Sequence, residues 1–169
     1  IAAINREHQR DGLPPVQLGI GINTGVMHVG DMGSALRRSY TVIGDAVYLA
    51  ARLGGLGEHY GVNIVAGPGT RDKANAYLWQ ELDQVRVKGK QQAVRIHTPR
   101  GLCAEATAEL TEELGRWQAL RSAYMTRQWP EVQSTLQILT SQPEKKVLYR
   151  LYEQRLASLL AQPPGPAWD

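Results

Sequence analysis

Leu18–Leu53 reads LGIGINTGVMHVGDMGSALRRSYTVIGDAVYLAARL, and its pattern decides the fold class. Leu18, Ile20 and Ile22 alternate with Gly19 and Gly21, the period of a β-strand. Asn23–Gly25 supplies turn residues, and Val26, His28 and Gly30 carry the alternation onward. The segment therefore predicts a hairpin of two short strands. Gly19, Gly21 and Gly30 inside strands point to close backbone approach or a bulge. Ala35–Arg38 reads as a polar, basic loop or flap, and Tyr40–Ile43 as a short β-branched run. Gly44–Asp45 then opens a helix, with Asp45 in the first turn where an acid suits the helix dipole. On that helix Val47, Ala50, Ala51 and Leu53 are expected to face inward. Tyr48 and Arg52, four residues apart, share a face.

Upstream, Ile1–Arg10 reads as the end of a helix closed by Asp11–Gly12 and Pro14–Pro15. Downstream, the helix from Asp45 is expected to continue towards Tyr60, although Gly54 and Gly55 each cost it about 1 kcal/mol relative to Ala. Asn63–Ala66 reads as a short buried strand, Gly67–Gly69 as a turn, and Thr70 as the cap of a short helix through Ala76. Trp79–Val87 and Ala93–Thr98 read as an antiparallel pair joined through Lys88–Gly89–Lys90. This order predicts an α+β fold with a mainly antiparallel sheet.

Pro99–Cys103 marks a boundary, which divides the chain into residues 1–101 and an all-helical C-terminal extension over 102–169. Leu110, Leu114, Trp117, Leu120 and Tyr124 form one amphipathic stripe. Pro130 opens a second helix bearing Val132, Leu136 and Leu139. Leu148, Leu151, Tyr152, Leu156 and Leu159 form a third stripe, and Pro163, Pro164 and Pro166 end the helical region.

The chain has 169 residues, enough for one domain plus an extension. Its 19 basic and 16 acidic residues, net +3, are too balanced to argue for a nucleic-acid partner. A single Cys103 excludes an internal disulfide framework and is consistent with a reducing compartment. No apolar run of about 18 residues is present. His8, His28, His59 and His97 fall in different elements without metal-ligand spacing. His28, placed on an inner strand, reads as a hydrogen-bonded structural residue.

A cation held on a helix behind a loop suits negative charge developing on phosphorus. Taken alone, Arg52 is an ordinary solvated residue. Its neighbours alter that reading. Gly19–Ile20, Gly25, Gly30, Gly33–Ser34, Tyr40–Thr41, Gly44–Asp45, Val47, Ala50, Arg52–Leu53 and Lys88–Gly89–Lys90 fall in order at spacings that resemble a class III nucleotide cyclase domain, from about Ile1 to Thr98. The resemblance implies a ferredoxin-like core, here partial and lacking its first strand. It implies an adenylate cyclase that converts ATP to 3′,5′-cyclic AMP and pyrophosphate in intracellular signalling.

Within that resemblance, Thr41 falls where the family reads the purine edge, and a hydroxyl there favours adenine. Arg52 matches the arginine that stabilises transition-state charge. Lys88 or Lys90 matches the lysine that contacts the terminal phosphates, and Gly44 and Asp45 belong to the substrate-binding turn. Tyr48 stands at the catalytic position where the family normally carries Asn, which orients the ribose and the reacting phosphate. The family's two aspartates for Mg²⁺ or Mn²⁺ lie upstream of Ile1. Asp31, Asp45, Asp72 and Asp83 have no paired spacing for a hard cation, so no metal ligand is assigned. The chain is accordingly expected to be the C-terminal part of a longer protein and inactive alone.

The intact enzyme is expected to be a head-to-tail homodimer with active sites shared across the interface. Tyr124, Trp129, Tyr152, Arg155, Pro163–Pro164 and Trp168–Asp169 resemble in order the tail of bacterial membrane-bound cyclases with a CHASE-type sensor. That implies a cytoplasmic domain of an inner-membrane protein, attached only through upstream segments. Tyr is larger than Asn and has no amide, so an alternative stays open: a catalytically degenerate cyclase-like module that binds nucleotide or a partner cyclase domain.

Overall fold

The computed structural model describes residues 1–34, 37–87, 92–141, 146–163 and 165. In chain order the elements are α1 (Ala2–Arg10), β1 (Ile20–Ile22), β2 (His28–Ser34), β3 (Arg37–Ile43), α2 (Asp45–Gly54), α3 (Gly57–Tyr60), β4 (Ile64–Ala66), α4 (Pro68–Lys73), β5 (Tyr77–Val85), β6 (Val94–Leu102), a 3₁₀ turn (Cys103–Glu105), α5 (Ala108–Met125), α6 (Trp129–Thr140) and α7 (Val147–Ala161). The fold is α+β. Four strands form one sheet in the order β1-β4-β6-β5, and β2 and β3 form a separate two-stranded ribbon. β1 runs parallel to β4, while the β4–β6 and β5–β6 pairs are antiparallel.

Glycine lets α2 lie directly on β1. A side chain at Gly21 would meet the Ala50 carbonyl oxygen at 1.9 Å and the Gly54 nitrogen at 2.4 Å. Close backbone packing of this kind excludes any Cβ. α2 ends at Gly54, so the expected single helix to Tyr60 is instead two, α2 and the short α3. The buried face of α2 is Ala46, Leu49 and Leu53 rather than the expected set of Val47, Ala50, Ala51 and Leu53. Leu53 is common to both, while Val47 and Ala50 are half-buried and Ala51 is exposed.

The expected hairpin over residues 18–30 is absent. β1 leaves towards β4, and the ribbon forms one step later, with His28 opposite Ile43 and Ser34 opposite Arg37. The reason lies in the link. Asn23 Nδ2 donates to the Ala46 carbonyl at 3.1 Å, and the Thr24 and Thr70 hydroxyls meet at 3.0 Å. These residues look like a turn but anchor the chain across α2 and α4. Arg37 and Arg38, expected in a flap, belong to β3. Ala35 and Leu36 of that flap lie outside the described residues. His28 opens β2 as an exposed residue, not an inner one. Thr70 lies inside α4, whose N-cap is Gly67 with Pro68 in the first turn.

The extension packs onto the sheet through apolar side chains. Leu53, Val65, Leu82, Ile96, Leu120, Leu136, Val132, Trp117 and Tyr152 are all at most 2% exposed and belong to one continuous core. Each fully buried aliphatic side chain contributes about 1.5–3 kcal/mol. Trp117 stacks 5.1 Å from Tyr149 and 5.0 Å from Tyr152, and its indole N–H donates to the Glu81 carbonyl at 2.6 Å. Thr107 caps α5 by accepting from the Leu110 amide at 3.1 Å.

Two polar clusters fasten the same contact. In the first, Asp83 accepts from Tyr60 (2.9 Å), Tyr152 (3.1 Å) and Arg155 (2.6 Å), while Arg121 reaches Tyr152 and Glu81. Burial opposes the Asp83 charge, but the Arg155 guanidinium outweighs it and holds the carboxyl below its usual range. In the second, Glu113 accepts from both Arg100 terminal nitrogens at 3.2 Å, and from Lys146 and Tyr149. Here too burial opposes ionisation, and the hydrogen bonds from Arg100, Lys146 and Tyr149 pull the carboxyl down to about 2.

Candidate functional site

Of the residues singled out on the sequence, Thr41, Gly44, Asp45, Tyr48 and Arg52 run in order along β3 and α2. Thr41 sits opposite Gly30 in the ribbon and is exposed. Three residues later Gly44 is the N-cap of α2, and no side chain caps the helix. Met27 Cα and the Val26 carbonyl lie 3.2 and 3.3 Å from where a Cβ would stand at Gly44, so the ribbon's base presses on this turn. Asp45 occupies the first turn. The Val47 and Tyr48 amides both donate to the Gly44 carbonyl at 3.1 Å, which closes the helix start.

With Ala46, Leu49 and Leu53 buried, the remaining faces of α2 carry Asp45, Tyr48 and Arg52 outward. Arg52 Cζ lies 4.9 Å from the centre of the Tyr48 ring. A guanidinium over an exposed tyrosine gains about 0.5–1 kcal/mol. The Arg52 backbone falls in the last turn of α2, and its side chain lies over the Tyr48 ring one turn back. The structure thus brings Tyr48 and Arg52 into contact and sets Gly44 and Asp45 at the head of the same helix. Thr41 stands at the approach to that helix on β3. Lys88 and Lys90 lie outside the described residues.

The described residues do not fit a divalent-metal centre: among them no three His, Cys, Asp or Glu side chains converge. Among them, too, no helix is long and apolar enough to cross a membrane. The sequence reading missed Asp83, Glu113 and Tyr60, whose partners lie up to 72 residues away. The signal it did hold was Tyr152 and Arg155 three apart on one helix face.

The family model described as "Adenylate and Guanylate cyclase catalytic domain" matches residues 1–98, more than half of the chain. The chain belongs to this cyclase family. Two relatives fit that assignment. An adenylate cyclase of Anabaena cylindrica is 37% identical over 92 residues, covering 52% of this chain and 18% of that protein. Adenylate cyclase 1 of Rhizobium meliloti is 32% identical over 98 residues, covering 57% of this chain and 15% of that protein. The chain therefore spans less than a fifth of the length of either relative. The crystal structure of the adenylyl cyclase CyaB from P. aeruginosa superposes with a TM-score of 0.52, over 63% of this chain and 54% of that one, at 24% identity. At that identity the likeness establishes the fold. Thr41, Gly44, Asp45, Tyr48 and Arg52 all lie within the stretch matched by the cyclase family.

Proposed function

We propose that this chain supplies the purine-reading and transition-state residues of an adenylate cyclase that makes 3′,5′-cyclic AMP and pyrophosphate from ATP. The observation that carries the reading is the exposed Arg52 on α2, behind the Gly44–Asp45 turn, in a chain of the cyclase family. In the reaction the ribose 3′-oxygen bonds to the α-phosphorus, the bond to pyrophosphate breaks, and the hydroxyl proton is released. Arg52 stabilises the charge that grows on the phosphoryl oxygens, and Thr41 offers a hydroxyl to the adenine edge. Lys88 or Lys90 holds the terminal phosphates. The roles assigned to this chain are positioning and charge stabilisation; the carboxylates for Mg²⁺ or Mn²⁺ belong to a part of the assembly outside it. We further place residues 1–101 in the catalytic part and 102–169 in a helical extension. The active assembly is a head-to-tail homodimer on the cytoplasmic side of the inner membrane.

The test is cyclic nucleotide formation by the intact protein with ATP or GTP. Arg52→Ala is expected to lower turnover roughly a hundredfold, the usual effect of removing a transition-state donor, while stability falls by only about 0.5–1 kcal/mol, the scale of the Tyr48 contact. Unchanged turnover would defeat the assignment. One observation favours a second reading. The Tyr48 ring already occupies one side of the Arg52 guanidinium, as in a module that binds nucleotide or a partner cyclase domain without catalysis. Activity that appears only in Tyr48→Asn would establish that second reading.

A further inference from the structure

We infer that Tyr48 is a positioning residue for Arg52: its ring holds the guanidinium against α2 and directs it towards the N-terminal end of that helix. The inference rests on the cyclase reading for its consequence but on geometry for its content. The two residues are one helical turn apart, with Tyr48 on the N-terminal side. Helical side chains lean back towards the N-terminus. With Cζ 4.9 Å from the ring centre, the Arg52 side chain reaches back over that turn while staying exposed.

The direction matters chemically. At the head of α2 the helix presents backbone N–H groups with no side-chain cap, next to Gly44 and the end of β3 that carries Thr41. Orphan amides at a helix start favour anionic oxygens. A long arginine on an exposed face is otherwise free to rotate among many rotamers, and catalysis by charge is sensitive to small misplacements. A rigid ring with two rotatable bonds narrows that set at little entropic cost. An Asn side chain has no π-face to do this. The ring, not the hydroxyl, carries the function.

The deciding measurement is the proton NMR spectrum of the Arg52 side chain, beside steady-state kinetics of the intact protein. Ring currents should move the Arg52 methylene protons upfield in the wild type and in Tyr48→Phe, and Tyr48→Leu should return them to ordinary positions. Tyr48→Leu should lower kcat roughly two- to fivefold with KM little changed, the scale of one cation–π contact, and Tyr48→Phe should restore kcat. Unshifted Arg52 protons in the wild type would overturn the clamp whatever the activity. Shifted protons with equal or higher kcat in Tyr48→Leu would overturn its role in positioning. A wild type that shows the shift but no turnover at all would overturn the cyclase reading and not the clamp.

Discussion

At the residue scale, Tyr152 does more than fill space. It is fully buried, its hydroxyl accepts from Arg121 at 2.5 Å, and it faces both the Leu82 carbonyl and Asp83 at 3.1 Å. Burial drives its pKa up, so it stays a neutral donor. Tyr152→Phe preserves the packing against Trp117 but strips Asp83 of a donor and Arg121 of an acceptor. The expected cost is about 1–3 kcal/mol, the penalty for leaving buried polar groups short of partners, read from the urea midpoint. Tyr77→Phe is the comparison: Tyr77 is 45% exposed, and its change should stay within about 0.5 kcal/mol. The polar clasp around Tyr152 was hidden from sequence because nothing local marks Asp83 as the partner of residues 69 and 72 positions away. The Tyr48–Arg52 contact, by contrast, was legible from its spacing of four.

At the element scale, regular periods revealed the elements and concealed some of their neighbours. The stripes ending at Tyr124, Leu139 and Leu159 lie within α5, α6 and α7, and the β5–β6 pair follows from two β-rich runs, although β5 starts two residues earlier than expected and β6 runs on through Pro99 to Leu102. Those signals are local. The parallel partner of β1 is not, since β4 begins more than forty residues later and any edge in between was open to it. Asn23–Gly25 has the composition of a hairpin turn, but its side chains are spent on α2 and α4. The glycine of β1 gives a sharp test. Gly21→Ala must push β1 off α2 and should cost about 1–3 kcal/mol or more, the usual range for overpacking. Gly115→Ala, mid-helix in α5 with nothing within 4 Å of the added methyl, should gain about 0.5–1 kcal/mol. Calorimetric melting temperatures that fail to move in opposite directions would refute the close β1–α2 approach.

At the scale of the whole molecule, the extension and the sheet stand or fall together with charge. Glu113, 15% exposed at its side chain, titrates near 2 in the fold against an ordinary 4.5. A depressed carboxyl of this kind contributes stability in full above pH 4.5 and loses it as pH falls towards 2. The scale is on the order of 3 kcal/mol, from the pKa difference at about 1.4 kcal/mol per unit. Unfolding midpoints should therefore fall between pH 4.5 and 2, and Glu113→Gln should be weaker at pH 7 with a flatter acid slope. An identical acid slope in both proteins would remove Glu113 from the account. The long reach of the other clasp bears on how the protein is born. A ribosome adds roughly 5–20 residues per second, so the 72 residues from Asp83 to Arg155 take ~4–14 s to make. For that interval Asp83 lacks Tyr152 and Arg155, and the part of the core that α7 closes stays open, so α7 acts as the latch that ends the wait. Folding of this domain is thereby timed by translation: a pause before Val147 prolongs the vulnerable state, and chaperone demand should track it.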